Sequence, residues 1–233
     1  MYENVIIHDS TPSNSYPDLK KSVSEIRQKF CITEKIHILI KKDPKSGPYV
    51  RVENVELDPS KFNLHSIEAI VITEGILKNE NFNPSTNEEE LKAILAHEFS
   101  HISHKDLKLK GILKLGIFVL DAIVSTTLVC SLQYGRNLEV PFIEKLGLGI
   151  IFAILLVFIS FRVYFNYNRE LETRSDEEAY CKTKNREALK NAIIKINELG
   201  VRSVFWGILY FVAGNSHPSD EERLKHIDAL KFD

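Results

Sequence analysis

Apolar residues fall along this chain in three patterns, and each predicts its own kind of element. The first is helical spacing. Asp18 to Phe30 and Ala188 to Leu199 read as amphipathic helices, and Leu91, Ile94, Leu95, Phe99 and Ile102 place an apolar face on a helix that follows the acidic run Glu88-Glu89-Glu90. Ser85, Thr86 and Asn87 can each cap that helix, and Asn87 with Glu90 has capping-box spacing. The second pattern is the short β-branched run. Ile36 to Ile40 reads as a strand, Tyr49 to Leu57 as the strand that pairs back on it after a loop with two prolines, and Ala69 to Thr73 as another. Val5-Ile6-Ile7 is a further short apolar run near the start. A small antiparallel or mixed sheet beside the helix follows.

The third pattern is the long apolar stretch. Gly111 to Gln133 is mostly apolar with Asp121 near its centre, and Leu146 to Phe161 is broken only by two glycines and Ser160. A helix needs about 20 apolar residues to span a bilayer. The second stretch reaches this once Val163 to Phe165 are included, and the first reaches it in length. Asp121 would have to be protonated, paired or turned to a protein-lined cavity. Tyr134 to Glu144 is a short turn containing Pro141, so the two stretches predict a hairpin with both flanks on one side. Lys105 to Lys114 and Arg162 to Arg174 put most basic residues on that side, and the positive-inside rule places it in the cytoplasm. Val201 to Ala213, which carries Trp206, is too short to span and reads as a core or interfacial helix.

Charge and composition narrow the picture. The 233 residues carry a net charge of -2, with no basic excess that would suit nucleic acid. Cys31, Cys130 and Cys181 are isolated and lack metal-type spacing, which fits a reducing compartment. Met1 to Ser10 has neither the basic start nor the apolar core of a signal peptide, in keeping with a cytoplasmic face. A pro-segment role for His8 is set aside in favour of an ordinary surface histidine.

The candidate chemistry lies inside the predicted helix at His97-Glu98-Phe99-Ser100-His101. Residues i and i+4 share one helix face, so both imidazoles can meet one metal ion with Glu98 beside them. Zinc accepts such ligands and in catalytic sites keeps a position open for water, whose proton the neighbouring carboxylate takes. His104, three residues further, reads as surface or second shell. A third protein ligand is needed, and after the hairpin Glu170, Glu172, Asp176 and Glu177 all compete for the role. Glu172 and Asp176 share a face, so one can bind metal while the other orients a histidine.

Taken in order, these segments resemble the membrane zinc metallopeptidases of the HtpX and type I CAAX prenyl protease family. Ile70 to Leu77 is similar to the strand before the family's metal helix, and Glu88 to Asp106 to its HExxH helix. Glu172-Thr173-Arg174-Ser175-Asp176 with Ala179 is similar to E-x-x-A-D-x-x-A, with Ser175 in place of alanine, and Ser216-His217-Pro218 with Arg223 to the C-terminal [ST]-H-P…R element. The resemblance implies one zinc held by His97, His101 and Glu172, Glu98 as general base, and Asp176 and Asp106 as supporting carboxylates. It also implies that His217 and Arg223 lie on the substrate side. Members like HtpX usually carry two more spans ahead of the metal domain, and Asp121 within a span is a departure.

The expected architecture is α+β: a zincin-like metallopeptidase domain of residues 31–110 and 166–233, interrupted by a transmembrane hairpin at 111–165 and preceded by an N-terminal segment, 1–30. The expected function is a zinc endopeptidase anchored in the lipid bilayer, cutting membrane or misfolded proteins at the cytoplasmic face, with no nucleic-acid partner. The alternatives are a catalytically silent or latent metal-binding membrane scaffold, and a soluble peptidase whose hairpin packs on a partner.

Overall fold

A computed structural model of the chain describes residues 2–3, 17–33, 36–41, 50–55, 67–78, 87–134, 142–199 and 218–231. Four strands, β1 (Tyr2–Glu3), β2 (His37–Lys41), β3 (Val50–Val55) and β4 (Ile67–Thr73), form one mixed sheet in the order β1-β2-β4-β3. Seven helices are described: α1 (Pro17–Lys29), α2 (Glu74–Lys78), α3 (Glu88–Ser103), α4 (Asp106–Tyr134), α5 (Phe142–Thr183), α6 (Arg186–Leu199) and α7 (Asp220–Ala229). The Val5-Ile6-Ile7 run and the predicted 201–213 helix lie outside the described residues.

The sheet departs from expectation in its pairing. β3 does not fold back on β2. It pairs antiparallel with β4, Val52 opposite Ile70, while β2 pairs parallel with β4, Ile38 opposite Ile70. The reason is in the side chains. Ala69, Ile70, Val71 and Ile72 of β4 are all fully buried, so this strand is apolar on both faces and belongs between two others. β3 alternates apolar Val50 and Val52 with charged Arg51 and Glu53, as an edge strand with one solvated face does.

The chain divides into two compact units. The first comprises Met1–Leu107, Leu171–Ser203 and Pro218–Asp233. Its core joins one face of the sheet (Ile38, Ile40, Val50, Val52, Ile70, Ile72) to side chains of α1, α3 and α6, while Leu39, Ala69 and Val71 form a smaller cluster of their own. α1 packs on α3 through Leu19, Val23 and Ile26, and Phe30 meets Phe99 with ring centroids 6.1 Å apart. Lys92 of α3 ties the pair from outside, 2.7 Å from Glu25 and 2.9 Å from Glu88.

α3 starts as its sequence suggests but without the expected capping box. Asn87 is the N-cap, yet its side chain makes no cap hydrogen bond. Its Oδ1 and the Glu90 carboxylate instead accept from Lys195 of α6, at 3.3 and 3.2 Å. A cation that draws both acceptors onto a neighbouring helix outcompetes a reciprocal cap on the same one.

The second unit, Lys108–Glu170 with Val204–His217, is built the other way round. Its large apolar side chains face outward: Phe118 is 70 % exposed, and Leu115 and Ile154 are 63 % exposed. Between α4 and α5, Ser160 Oγ donates to Asp121 Oδ1 at 2.8 Å. Among the described residues one helix, Gly149–Thr183, is long and apolar enough to cross a membrane, and none of its apolar window is buried. The apolar run itself ends at Phe165.

Candidate metal centre

From Ala93 to His101 every side chain of α3 is buried. A helix buried nearly all round carries its polar residues into the core, where they need partners. His97 and His101, one turn apart, meet edge to face with ring centroids 4.8 Å apart, and their Nε2 atoms lie 3.2 Å from each other. From α5, Glu172 brings one carboxylate oxygen to 3.3 Å from His97 Nε2 and the other to 3.6 Å from His101 Nε2. Among the described residues these three form the one group of His, Cys, Asp and Glu ligand atoms drawn together tightly enough to hold a metal ion.

The triangle fits zinc. Ligand atoms roughly 2.0–2.1 Å from a tetrahedral ion stand about 3.3 Å from one another; here the two Nε2 atoms are 3.2 Å apart, and the two Glu172 oxygens lie 3.3 and 3.6 Å from one imidazole each. The donor set of two imidazoles and a carboxylate is also the one catalytic zinc takes, leaving a fourth position for solvent or substrate.

Behind the triangle, each histidine is oriented from its far nitrogen. Asp176 Oδ1 lies 2.8 Å from His97 Nδ1, and Asp106 Oδ2 lies 2.7 Å from His101 Nδ1. A carboxylate accepts, so each Nδ1 carries the proton and each Nε2 lone pair turns to the centre. Asp176 is held in turn by Arg223, whose Nε and Nη2 donate at 2.7 and 2.6 Å. Arg223 sits on α7, whose first turn is fixed by a reciprocal cap between Ser219 and Glu222. Arg174 donates to both oxygens of Asp106, at 2.5 and 2.7 Å.

Electrostatics follow from this packing. Burial alone would raise the Asp176 carboxyl, but hydrogen bonds from Arg223 and His97 outweigh it and hold it at about 2. Burial would lower His97, yet Asp176 and Glu172 reverse that and lift the metal-free imidazole to about 10. Burial pushes the Glu98 carboxyl up. Glu98 is 7 % exposed, and its Oε2 accepts the backbone N–H of Val52 at 2.8 Å, which ties it to the edge strand β3.

Of the four competing carboxylates, Glu172 is the one that meets both imidazoles; Glu170 is exposed and Glu177 pairs with His226 at 2.8 Å. His104 is exposed at the C-cap of α3, 3.3 Å from Glu178. Arg223 touches Asp176, and His217 lies outside the described residues. Sequence reasoning did not single out Arg174 or the Val52 N–H, and marked Ser175 only as standing in place of an alanine; its Oγ is 3.2 Å from His101 Nδ1. Spacing within one helix gives no sign of partners some seventy residues away, and a backbone donor leaves no residue signature at all.

Known proteins share both the sequence and the fold. The model of peptidase family M48 matches residues 62–231. A protease HtpX homolog of Dictyoglomus turgidum is 28 % identical over 175 residues, covering 68 % of this chain and 55 % of that protein. Another, of Dictyoglomus thermophilum, is 28 % identical over 160 residues, covering 67 % of this chain and 43 % of its own. The chain thus spans about half the length of the curated relatives it matches. In fold it resembles the crystal structure of S. mikatae Ste24p, with a TM-score of 0.62 at 18 % identity over 97 % of this chain and 52 % of that one.

Proposed function

Since the chain belongs to peptidase family M48, a family of zinc metallopeptidases, we propose that it is a zinc-dependent endopeptidase acting on protein or peptide substrates from a membrane anchor. The observation that carries this reading is the buried cluster of His97, His101 and Glu172, its nearest nitrogen and oxygen atoms 3.2–3.6 Å apart, with both histidines oriented from behind. Zinc held there supplies Lewis acidity to the scissile carbonyl and makes water a nucleophile near neutral pH.

The chain's own residues supply the rest. Glu98 takes the proton of the attacking water and returns it to the leaving amine. Its burial favours the protonated form it needs midway through that transfer. The Val52 N–H holds the Glu98 carboxylate in place through its Oε2. In an antiparallel strand alternate residues turn both backbone groups to the same side. Because the Val52 N–H leaves the sheet, Val50, Val52 and Asn54 present the edge of β3 that has no strand partner among the described residues, and an extended substrate adds there beside the Val52 N–H held by Glu98. Asp176 and Asp106 fix the histidine tautomers, Arg223 acts through Asp176, and His217 is assigned to the substrate side by the family resemblance.

The membrane reading rests on the outward-facing apolar side chains of the second unit and on the one helix able to span among the described residues. We assign a hairpin across 111–165, a cytoplasmic face for the metal domain from its flanking lysines and arginines, and membrane or misfolded proteins as substrates. The test is cleavage of an unfolded protein by the detergent-purified chain beside Glu98→Gln. Cleavage by the wild type and a loss of about 10²- to 10⁴-fold in the variant, with zinc still bound, is expected. Equal cleavage by both would remove Glu98 from the mechanism, and zinc binding with no cleavage by the wild type would favour a silent or latent scaffold.

A further inference from the structure

Two chains of contacts reach the metal centre from behind, and they are unequally built. On the His97 side, Asp176 receives a two-nitrogen fork from Arg223, whose side chain is 19 % exposed. On the His101 side, a single nitrogen of Arg174 straddles both oxygens of Asp106. The Arg174 side chain is 35 % exposed, and its buried Nε has no hydrogen-bond partner among the described residues.

Asp106 depends heavily on that one guanidinium. It is the first residue of α4, follows Lys105 in a left-handed turn (φ 56°), and is 1 % exposed. Glu68 of β4 brings a second negative charge near it, with Lys105 opposing. A buried carboxylate stripped of its cation is strongly disfavoured. His101 Nδ1 also has a second acceptor within reach, the neutral hydroxyl of Ser175 at 3.2 Å. One short piece of α5 therefore serves both chains. Residues two apart on a helix face nearly opposite ways, so Glu172 and Asp176 meet His97 while Arg174 and Ser175 turn to the Asp106–His101 side.

We propose that Arg174 is a positioning residue for the metal: by holding Asp106 it fixes the His101 Nδ1–H, aims the His101 Nε2 lone pair, and so sets how tightly zinc is held. This rests on the reading of His97, His101 and Glu172 as the zinc ligands. Without Arg174 the imidazole divides its Nδ1–H between Asp106 and Ser175, and its Nε2 is held less firmly towards the ion. Groups that orient metal ligands in this way are worth roughly 10- to 100-fold in affinity.

The test is zinc affinity and release, measured on the detergent-purified full chain by competition with a chromophoric chelator, with the visible spectrum of the cobalt-loaded protein as a second readout. Arg174→Met should weaken zinc binding by about 10- to 100-fold and shift the cobalt bands, and Arg174→Lys should recover part of both. In an Asp106→Asn background the further effect of Arg174→Met should fall below about two-fold, because it acts through that carboxylate, whereas in Asp176→Asn it should persist in full. Zinc affinity within about two-fold of wild type, even with a lower melting temperature, would make Arg174 merely structural and overturn the proposal. So would an undiminished effect in Asp106→Asn. If Arg174→Met does not fold, Arg174→Lys decides through its affinity and its cobalt spectrum. A wild type that binds no zinc would sink the reading of the site itself, whereas tight wild-type binding unmoved by Arg174 sinks this inference alone.

Discussion

The two units of this chain apply opposite rules to the same residue types. In the first, apolar side chains are inside, and buried beside them are charged groups that water would otherwise solvate: His97, Glu98, His101, Asp106, Glu172 and Asp176. Each has a partner at hydrogen-bond or ion-pair distance. In the second, phenylalanine and isoleucine face outward, and the described hydroxyl–carboxylate contact, Ser160 to Asp121, lies between α4 and α5. On the proposed membrane reading, the two units differ in what each takes as its solvent. A water-excluded protein interior strengthens every interaction among the charges of a hydrolytic site. An apolar exterior is stable only where hydrocarbon replaces water, and there a polar pair must find itself.

Exchanging one residue type between the units sharpens the contrast most. Phe99 is fully buried and Phe118 is 70 % exposed. Phe99→Ala should cost about 3–5 kcal/mol of stability in the first unit, read as a fall in the melting temperature of the detergent-purified chain. Phe118→Ala should leave that transition in place. Equal effects would break the two-solvent account.

A smaller effect comes from proton competition at the metal centre. The metal-free His97 titrates at about 10, above its unfolded 6.5. Its protonated form therefore stabilises the metal-free fold fully below about pH 6.5, and that contribution is lost as pH rises through about 10. Zinc must displace the same proton. Its apparent affinity should climb by up to about tenfold per pH unit between roughly pH 7 and 9, while the melting temperature of the metal-free chain falls over that window. A flat affinity profile would show that no raised His97 proton competes with zinc in that window. The smallest effect belongs to the second unit. Ser160→Ala removes one interhelical hydrogen bond within the proposed hairpin, worth about 0.6 kcal/mol in a bilayer, and should leave zinc affinity unchanged when measured beside the wild type.

Much of this was legible in the sequence because it depends on local spacing. Leu91, Ile94, Leu95 and Phe99 mark the buried face of α3, and His97 and His101 share a turn by helical arithmetic alone. The HExxH run and Asp106, five residues beyond His101, could be read together for the same reason. What escaped depends on distant partners. The pairing of β3 with β4 was decided by which strand is apolar on both faces, and the missing cap at Asn87 by a lysine on α6. Arg223 carries a residue signature, but its contact with Asp176 joins two helices that the chain visits far apart. On residue chemistry alone the third ligand stayed open among four carboxylates, and the family resemblance named Glu172, because only the fold brings the helix of Glu172 against that of His97.

The most direct measurement is a zinc titration of the metal-stripped, detergent-purified chain, counting bound zinc while following cleavage of an unfolded protein. One zinc per chain should bind, with cleavage rising in proportion to it, and His101→Ala should lose both together. Cleavage that survives metal removal, or zinc bound undiminished by His101→Ala, would contradict the metal centre described for His97, His101 and Glu172.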